Sequence, residues 1–532
     1  LKDWLLSRQR FWGTPIPMIH CKSCGVVPVP RENLPVELPL DVVFSEDQSG
    51  NPLESHNSFV QTKCPSCGGD AKRETDTMDT FYDSSWYFMR FCDPKNATSP
   101  FDREAVDYWM GDGVDLYIGG IEHAVMHLLY ARFFTKFTRD AGMNEVGEPF
   151  GRLVCQGMLN APAPYCVDCN SEYHVDNFDL DCPSCGKTLS RRQAKMSKSL
   201  GNTVSPEEMI SRFGADTVRL FILFGANPEA GMEWSDSALE ANHRQMFSLI
   251  DAVDSAVGFS DYPTNIDDWL MSRMRASQEK WIEAMSEVSL REGVMISHFE
   301  MLSDWNWYLR RGGRDRVTAM AFLTGWIPML APATPHIAEE FWRKVGHADI
   351  LAKLVMPILE PDTSDTLVLA LENFIKKIIS SGRNLRTLAE RHSDNEITKV
   401  VIQTSPQWKK DIASEAIRLH KDDFDFKEKG QSHVKSLEAF NDESTRGEVF
   451  QTWNSITIGG KKTRGRIHTW LDGEREIISK GINEAEVIKN NSDFIASALE
   501  VESVEVYAAG EGEDVGGKAR ISFPLEPGIA FV

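Results

Sequence analysis

Ala194-Lys-Met-Ser-Lys-Ser-Leu-Gly-Asn202 is the segment from which the organisation of the chain can be worked out. Two lysines and two serines alternate in it, and it has no apolar periodicity of its own. An apolar run over residues 152–159 precedes it, and a predicted helix start at Ser205-Pro-Glu-Glu208 follows it. Ammonium and hydroxyl groups in a loop beside a strand end suit a polyphosphate leaving group, because they stabilise the charge that develops there. The alternative is an ordinary solvated loop, in which lysine and serine are common.

Composition and charge limit the class of protein. The chain has 532 residues, of which 42% are hydrophobic and 26% charged, the composition of an ordinary soluble globular protein with several domains. The sequence contains neither an apolar run of membrane-spanning length nor a recognisable secretion signal, so we expect a cytoplasmic protein. The net charge of −22 is opposite to that of a simple nucleic-acid binder. Either nucleic acid is not a partner, or local basic patches on an acidic body hold it.

Eight of the ten cysteines form four Cys-x-x-Cys pairs, two within residues 20–71 and two within residues 160–193. This spacing, without a secretion signal, is more typical of zinc ligands than of disulfides. We therefore predict two structural Zn²⁺ sites, formed by Cys21, Cys24, Cys64 and Cys67 and by Cys166, Cys169, Cys182 and Cys185. The alternative is a set of free thiols. The remaining cysteines, Cys92 and Cys155, lie in apolar contexts that predict buried thiols.

An aromatic run between residues 74 and 90 carries candidate pocket residues. Phe81, Ser84 and Tyr87 recur every three residues, so we expect them to share one helix face. A stripe of this kind is usually core. A serine between two aromatics also suits a small apolar pocket with one polar group.

A predicted strand over residues 114–120 ends in Gly119-Gly120, and a predicted helix begins at Ile121. A strand, a glycine turn and a helix form the geometry in which a nucleotide approaches the backbone at a helix N-terminus. His123 and His127 are expected on one face of that helix. Packing or zinc binding is the commoner role of such a pair.

A basic and aromatic segment, Ser7-Arg-Gln-Arg-Phe-Trp-Gly13, lies near the start of the sequence. Arg8, Gln9 and Arg10 with Trp12 suit a patch for nucleic-acid phosphate, and they suit equally well a brace at a domain junction. Composition leaves both interpretations open.

The last two thirds of the chain are predicted to form a helical bundle and a second α/β region. Residues 213–224 predict an apolar helix, and residues 236–347 show helical periodicity throughout. A looser linker over residues 348–368 leads to the region 369–532. We predict there a helix over residues 369–391 and strands at 399–405, 504–508 and 519–523. Its one concentrated basic patch is Lys461-Lys-Thr-Arg-Gly-Arg466, for which an exposed charged loop is the default interpretation.

Taken together, these motifs resemble the leucyl branch of the class I aminoacyl-tRNA synthetases. Residues 195–199 match the family's Lys-Met-Ser-Lys-Ser loop at all five positions. Residues 7–13 are similar to its Ser-Arg-Gln-Arg-aromatic-Trp-Gly signature, and residues 119–130 to its Gly-Gly-x-Glu-His-Ala-x-x-His-Leu-Leu-Tyr segment. The resemblance is nearly continuous over residues 1–347 and weak afterwards.

This resemblance implies a multidomain fold that is α/β plus all-α. It implies the second half of a Rossmann catalytic domain with zinc-knuckle insertions over residues 1–235, an α-helical anticodon-binding bundle over 236–347, and a C-terminal α/β tRNA-binding domain over 369–532. The implied activity is that of a leucine–tRNA ligase, which activates leucine with ATP and transfers it to tRNA(Leu). Mg²⁺ on the phosphates is part of that expectation.

The resemblance also implies roles for individual residues. The catalytic residues would be Lys195 and Lys198. ATP would be bound by Gly119, Gly120, Glu122, Met196, Ser197, Lys198 and Ser199. The leucine pocket would be formed by Phe81, Ser84, Tyr87, His123 and His127.

Two parts of the family pattern are not found in this sequence. They are the second signature, His-x-Gly-His, and the editing insertion, and we expect both to precede Leu1. One hypothesis is therefore the C-terminal portion of a leucine–tRNA ligase, which needs a separate N-terminal half. The other is a non-catalytic tRNA-binding paralogue. The intact loop at residues 195–199 favours the first, because a protein that only binds has no use for it.

Overall fold

The computed structural model describes residues 5–44, 50–123, 125–356, 365–392, 397–459, 464–508, 511 and 515–532. They divide into two compact units. The first comprises residues 1–203 and 226–234, and the second comprises residues 204–225 and 235–532. In the described ranges, no helix is long and apolar enough to cross a membrane.

The first unit consists of short strands and short helices. Its strands are β1 (Ser7–Arg8), β2 (Met18–Cys21), β3 (Gly25–Pro28), β4 (Gln61–Lys63), β5 (Asp70–Arg73), β6 (Thr77–Met78), β7 (Tyr117–Gly120), β8 (Leu153–Gln156), β9 (Leu159–Cys166), β10 (Ser171–Glu172), β11 (Ser190–Lys195) and β12 (Met232–Glu233). Its helices are α1 (Asn57–Val60), α2 (Thr80–Asp83), α3 (Tyr87–Cys92), α4 (Arg103–Met110) and α5 (His127–Asp140).

Three sheets of this unit matter for function. An antiparallel sheet in the order β3-β2-β5-β4 carries the first two cysteine pairs. A second sheet, β10-β9-β11 with β12 parallel to β9, carries the other two. Between them in the sequence, β7 and β8 pair in parallel. The apolar run at 152–159 is thus divided between β8 and the start of β9.

The second unit is mainly helical. Its helices are α6 (Pro206–Phe213), α7 (Ala215–Gly225), α8 (Asp236–Val257), α9 (Ile266–Ser286), α10 (Leu290–Val294), α11 (Met301–Arg310), α12 (Arg316–Leu330), α13 (Pro335–Lys344), α14 (Asp365–His392), α15 (Gln407–Lys421), α16 (Gly430–Val434), α17 (Glu438–Asn441), α18 (Arg446–Thr457), α19 (Asp472–Ser479), α20 (Glu484–Lys489), α21 (Ser492–Leu499) and α22 (Lys518–Ile521), with a π-helical turn at Met295–Glu300. Its strands are β13 (Lys399–Gln403), β14 (Ser503–Tyr507) and β15 (Gly528–Phe531), with β13 in the centre.

The predicted helical region is confirmed, with two differences in this unit. The helix predicted over 213–224 begins only at Ala215, because Gly214 has a positive φ of 83° and ends α6. The strand predicted at 519–523 is wrong. Residues 518–521 form α22, and the strand that pairs with β13 is β15. The backbone of α22 packs directly on Gly528, where a Cβ would lie 2.4 Å from the Lys518 carbonyl oxygen.

One continuous apolar core runs through this second unit, from Leu220 to Ile529. It crosses the linker that the sequence suggested near 348–368. The buried Glu372 on α14 accepts hydrogen bonds from Trp307 Nε1 at 2.7 Å and from Arg311 Nε at 2.7 Å, both on or beside α11. The bundle and the C-terminal α/β region therefore pack against each other extensively.

Candidate functional site

Phe81, Ser84 and Tyr87 lie on two short helices and not on one helix face as predicted. Phe81 is in α2, whose N-terminus is capped by the buried Asp79, with Oδ1 accepting from the Phe81 N–H at 2.8 Å. Ser84 ends α2, and Tyr87 begins α3. The helix breaks between them because residues 84–86 adopt a turn.

The histidines also differ from the prediction in their secondary structure. His123 belongs to a 3₁₀ turn over Ile121–His123, and α5 begins only at His127. Their rings nevertheless approach each other edge to face, with centroids 6.3 Å apart. The predicted pair is therefore close in space without sharing a helix.

The five predicted pocket residues come together around the rings of His123 and His127. Ser84 Oγ lies 3.3 Å from His127 Nδ1, and the Tyr87 ring stacks on the imidazole at 6.1 Å. Phe81 meets the His123 ring edge to face at 6.1 Å. Three helices, α2, α3 and α5, and the 3₁₀ turn thus form one aromatic pocket wall from residues about forty positions apart.

Tyr117, on β7, belongs to this pocket, although the sequence analysis did not identify it. Its hydroxyl lies 2.7 Å from His127 Nε2, and its ring stacks on Phe150 at 3.8 Å. A tyrosine two residues before the glycine pair, on the predicted strand, was the available signal. Burial, and then the nearby Tyr87, raise the pKa of Tyr117, which keeps it protonated as a donor.

Burial, and then the neighbouring His123, lower the pKa of His127 below its usual 6.5. Both ring nitrogens have hydroxyl partners, Ser84 and Tyr117. A neutral imidazole with both nitrogens hydrogen-bonded presents an uncharged face. The pocket therefore suits an aliphatic side chain better than a charged one.

Gly119 and Gly120 form the end of β7, and Glu122 follows in the 3₁₀ turn. The Glu122 carboxylate lies against Gly120, where a Cβ would be 2.5 Å from Oε2. Nothing lies within 4 Å of the Cβ position at Gly119. The backbone here is open on one side, as a bound nucleotide requires.

The lysine and serine segment begins on a strand. β11 ends at Lys195, and a turn over residues 198–201 follows. The side chains of Lys195 and Lys198 are exposed, and neither takes part in an ion pair with any described residue. The hydroxyls of Ser197 and Ser199 lie 3.1 Å apart. The segment thus offers two exposed ammonium groups and two hydroxyls within five residues at the end of β11.

Asn202, 6% exposed, organises this turn from within. Its Oδ1 accepts from the Ser197 N–H at 2.9 Å. Its Nδ2 lies 3.3 to 3.5 Å from the carbonyl oxygens of Ala161, Ala194 and Lys195. The sequence analysis gave Asn202 no role, although an asparagine after a glycine turn commonly satisfies backbone groups in this way.

The glycine pair and the loop both lie near the carboxyl end of β8. Gly120 pairs with Gln156, the last residue of β8. Three residues later, the Leu159 carbonyl accepts from the Met196 N–H at 3.1 Å, a chain length that spans at most about 10 Å. Ligands of open α/β sheets bind at this end of the strands.

The structure brings each set of four cysteines together, as predicted. In both sets the four Sγ atoms lie within 4.8 Å of one another. Close pairs are Cys21–Cys67 at 3.7 Å, Cys166–Cys185 at 3.5 Å and Cys169–Cys182 at 3.8 Å. A tetrahedral site with Zn–S bonds of about 2.3 Å has S···S edges of about 3.8 Å, so both sets fit Zn²⁺.

The same knuckle turn recurs in all four pairs. The residue after the second cysteine has a positive φ in each case: Gly25 at 76°, Gly68 at 74°, Asn170 at 49° and Gly186 at 71°. Glycine and asparagine are the residues that adopt this conformation most easily. The turn also directs backbone N–H groups at sulfur, and those of Cys24 and Ser23 lower the pKa of the Cys21 thiol to about 7. Cys92 and Cys155 were predicted to be buried thiols, and the structure corrects this, because both are only half-buried.

Arg8 braces the pocket and is not a free phosphate ligand. Its guanidinium forms an ion pair with the buried Asp79, the residue that caps α2. Gln9 Nε2 donates to Asp76 Oδ2 at 2.5 Å. Arg10 and Trp12 remain exposed. The Arg8 ion pair therefore lies within the first unit, so Arg8 is a brace of α2 and not of a domain junction.

The basic patch of the C-terminal region lies partly outside the described residues, which include neither Lys461 nor Lys462. Arg466 is used in packing. It forms an ion pair with Glu526 at 2.9 Å and lies over the Phe523 ring at 3.9 Å.

Two protein families match the sequence. Residues 1–162 and 185–235 match the class I tRNA synthetases of the isoleucine, leucine, methionine and valine group. Residues 267–402 match the anticodon-binding domain of tRNA ligases. The second match extends from the bundle across α14 into β13.

Individual relatives give a narrower result. The leucine–tRNA ligase of Synechococcus sp. (strain CC9605) is 43% identical over 378 residues, which are 68% of this chain and 42% of that protein. That of Syntrophus aciditrophicus (strain SB) is 42% identical over 378 residues, 68% of this chain and 43% of that protein. The Agrobacterium radiobacter K84 agnB2 LeuRS, solved in a ternary complex with tRNA and LeuAMS, is 31% identical with a TM-score of 0.56, covering 76% of this chain and 45% of that one.

The chain therefore belongs to the class I tRNA synthetases and combines their fold with a helical anticodon-binding domain. The chain spans about two fifths of the length of these relatives. Within the class, it is a member of the leucine–tRNA ligase family.

Proposed function

We propose that this chain provides the lysine-loop half of the active site of a leucine–tRNA ligase. The observation that carries the proposal is the convergence, at the carboxyl end of β8, of the glycine pair, the Lys195–Ser199 loop and the strand that bears Tyr117. A nucleotide at the glycines would have the ammonium groups on one side and the His127 pocket on the other. That is the arrangement needed to join an amino acid to ATP.

In the first step, a leucine carboxylate oxygen attacks the α-phosphorus of ATP, and the bond to the pyrophosphate oxygen breaks. Leucyl-adenylate and pyrophosphate result. Lys198, supported by Lys195, stabilises the negative charge that grows on the departing pyrophosphate. Met196, Ser197 and Ser199 contribute backbone and hydroxyl contacts to ATP. In the second step, a ribose hydroxyl of the terminal tRNA nucleotide attacks the leucyl carbonyl carbon, and AMP leaves.

Substrate positions follow from the side chains present. The backbone of Gly119 and Gly120, with Glu122, holds the nucleotide, since a side chain at either glycine would obstruct it. Phe81, Ser84, Tyr87, His123 and His127 surround the leucine side chain. The neutral state of His127 supports an aliphatic ligand. Positioning of the two reactants then supplies much of the rate enhancement.

Two metals belong to the proposal. Mg²⁺ would accompany the ATP phosphates and neutralise part of their charge. Zn²⁺ would be held by the two four-cysteine sets, where no fifth ligand position is left for chemistry, so its contribution is structural.

We further propose tRNA(Leu) and a polypeptide with the other half of the Rossmann sheet as partners. Parallel sheets are normally covered on both faces. Yet β7 and β8 form a two-stranded parallel sheet in the described part of the chain, and Leu116, Ile118 and Leu153 on or beside it are exposed. Further strands and their helices would cover these side chains. The bundle and the C-terminal region would contact the tRNA.

Pyrophosphate exchange tests the proposal. The chain is mixed with a polypeptide that carries the His-x-Gly-His half of a leucine–tRNA ligase, and exchange of labelled pyrophosphate into ATP is measured with and without leucine. We expect leucine-dependent exchange from the mixture and none from either part alone. If the mixture forms a complex and binds tRNA(Leu) without any exchange, the non-catalytic tRNA-binding paralogue is the correct description.

A further inference from the structure

The second cysteine module, residues 166–185, is an insertion into the hairpin that carries the lysine loop. β9 ends at Cys166, and β11 runs from Ser190 to Lys195, paired with β9 at all six positions. The family match pauses between residues 162 and 185. The module therefore lies outside the shared family pattern, yet its two ends lead directly into the strands that support the loop.

The module also touches the far end of the loop. The Val175 N–H donates to the Leu200 carbonyl at 2.8 Å. The His174 ring lies against Gly201, where a Cβ would come within 2.3 Å of Nε2. His174 is itself fixed, because its Nδ1 accepts from the Asp176 N–H at 3.3 Å. The loop is thus held at Lys195 by β11 and at Leu200–Gly201 by the module.

One side chain of β11 packs on the module as well. The Arg191 guanidinium lies over the Phe178 ring of the module at 4.5 Å, and that of Arg192 lies over the ring of Tyr165, on β9 next to the module, at 4.6 Å. The buried side chains of the module itself are Cys166 and Cys182. A segment this small has no apolar core of its own, so its fold depends on metal ligation.

We propose that the second cysteine module is a positioning element for the loop, with His174 and Val175 as the positioning residues. Metal ligation by Cys166, Cys169, Cys182 and Cys185 fixes the segment 170–181 between them. That segment then holds Leu200 and Gly201, and with them the turn that carries Lys198. Loss of one ligand should release the far end of the loop even though Lys195 stays on its strand. The consequence of this positioning for catalysis rests on the proposed function, whereas the positioning of the loop by the module does not.

Hydrogen exchange of the full chain tests the proposal without any activity measurement. Amide exchange of the peptide covering residues 195–202 is compared between the parent, Cys182→Ser and the matched control Cys21→Ser, which removes the same type of ligand from the first set. We expect exchange at residues 200–202 to quicken at least about tenfold in Cys182→Ser, with the parental rate in Cys21→Ser. Unchanged exchange in Cys182→Ser, or equal acceleration in both variants, would overturn the proposal.

A second pair of variants leaves every cysteine in place. His174→Ala removes the ring that lies against Gly201. Its control is His20→Ala, on the first cysteine module, which comprises residues 18–73. With zinc content unchanged in both, His174→Ala should quicken exchange at 200–202 severalfold and His20→Ala should not. Equal exchange in the two would contradict the role of His174. If His174→Ala loosens the loop while the complemented enzyme keeps its full exchange rate, positioning stands and the catalytic role of the loop fails.

Discussion

The two cysteine modules have the same four-cysteine ligand set and the same turns, yet they adjoin different parts of the candidate site. From the first, β5 leads within a few residues to Asp79, which caps the helix that carries Phe81. The second is continuous with β11 and touches Leu200 and Gly201. In the part of the chain that is described, no hydrogen bond joins residues 18–73 to residues 195–202. Under the proposed function, the same kind of metal site would therefore support the leucine pocket at one place and the lysine loop at another.

Lys198→Ala should have the largest effect, and it tests the loop side of the comparison. In the complemented enzyme we expect the rate of adenylate formation to fall about a hundredfold or more, the usual loss for one donor to a developing charge. The dissociation constant for leucine should stay nearly unchanged, because the pocket lies on other elements. Lys187→Ala is the control, since Lys187 is an exposed lysine next to the second module and is paired with Asp168 at 3.0 Å. A parental rate in Lys198→Ala would make the loop structural.

Arg8→Ala tests the pocket side through its support. Removal of the guanidinium leaves the buried Asp79 without its ion-pair partner, so we expect the free energy of unfolding of the first unit to fall by about 2 kcal/mol. Urea unfolding followed by aromatic fluorescence measures this. Gln9→Ala, which loses only a hydrogen bond to Asp76, should cost about 1 kcal/mol or less. An equal loss in both variants would argue against a brace at Arg8.

Tyr117→Phe should weaken leucine binding about fivefold without slowing the loop chemistry. The substitution removes the hydroxyl beside His127 Nε2 and keeps the ring that stacks on Phe150, and one hydrogen bond is worth about 1 kcal/mol. The measurement is the KM for leucine against the kcat of exchange. Tyr165→Phe is matched to it, because its hydroxyl bonds Asn170 in the second module. A change in kcat with an unchanged KM would show that Tyr117 acts in the loop chemistry and not in leucine binding.

The smallest expected effect is a pH dependence from His127. Its pKa lies below 6.5 in the folded chain, so below pH 6.5 the unfolded chain takes up a proton that the folded chain does not. The contribution of His127 to stability is therefore complete above pH 6.5 and decreases as the pH falls below it. Thermal unfolding between pH 7.5 and pH 5 should show a steeper acid loss for the parent than for His127→Gln. Parallel curves would show that burial does not lower the pKa of His127.

The sequence was most informative where chemistry is encoded in short spacing. The cysteine pairs were grouped correctly because a Cys-x-x-Cys knuckle needs only local turns. The helical region after residue 235 followed from its periodicity. Residues of the pocket were identified from family resemblance, but the helix face assigned to Phe81, Ser84 and Tyr87 was not formed, because tertiary packing on His127 overrides local helical spacing.

Features that depend on distant contacts could not be predicted. Asn202 gains its role from strand carbonyls at Ala161 and Ala194, which periodicity does not locate. β15 was not predicted, because its position on β13 depends on the contact between α22 and Gly528. The sequence pattern does not locate that contact. The contact of His174 with Gly201 joins the second cysteine module to the loop, and nothing in either segment alone indicates it.

Zinc content is the most direct test of the account's central claim, that two equivalent metal modules support the two sides of the site. Metal analysis of the purified chain should find about two Zn²⁺ per chain, and about one in each of Cys64→Ser and Cys185→Ser. The retained zinc should protect the four cysteines of the intact module from thiol reagents. A parent protein without zinc, with all eight paired cysteines freely titratable, would contradict the account.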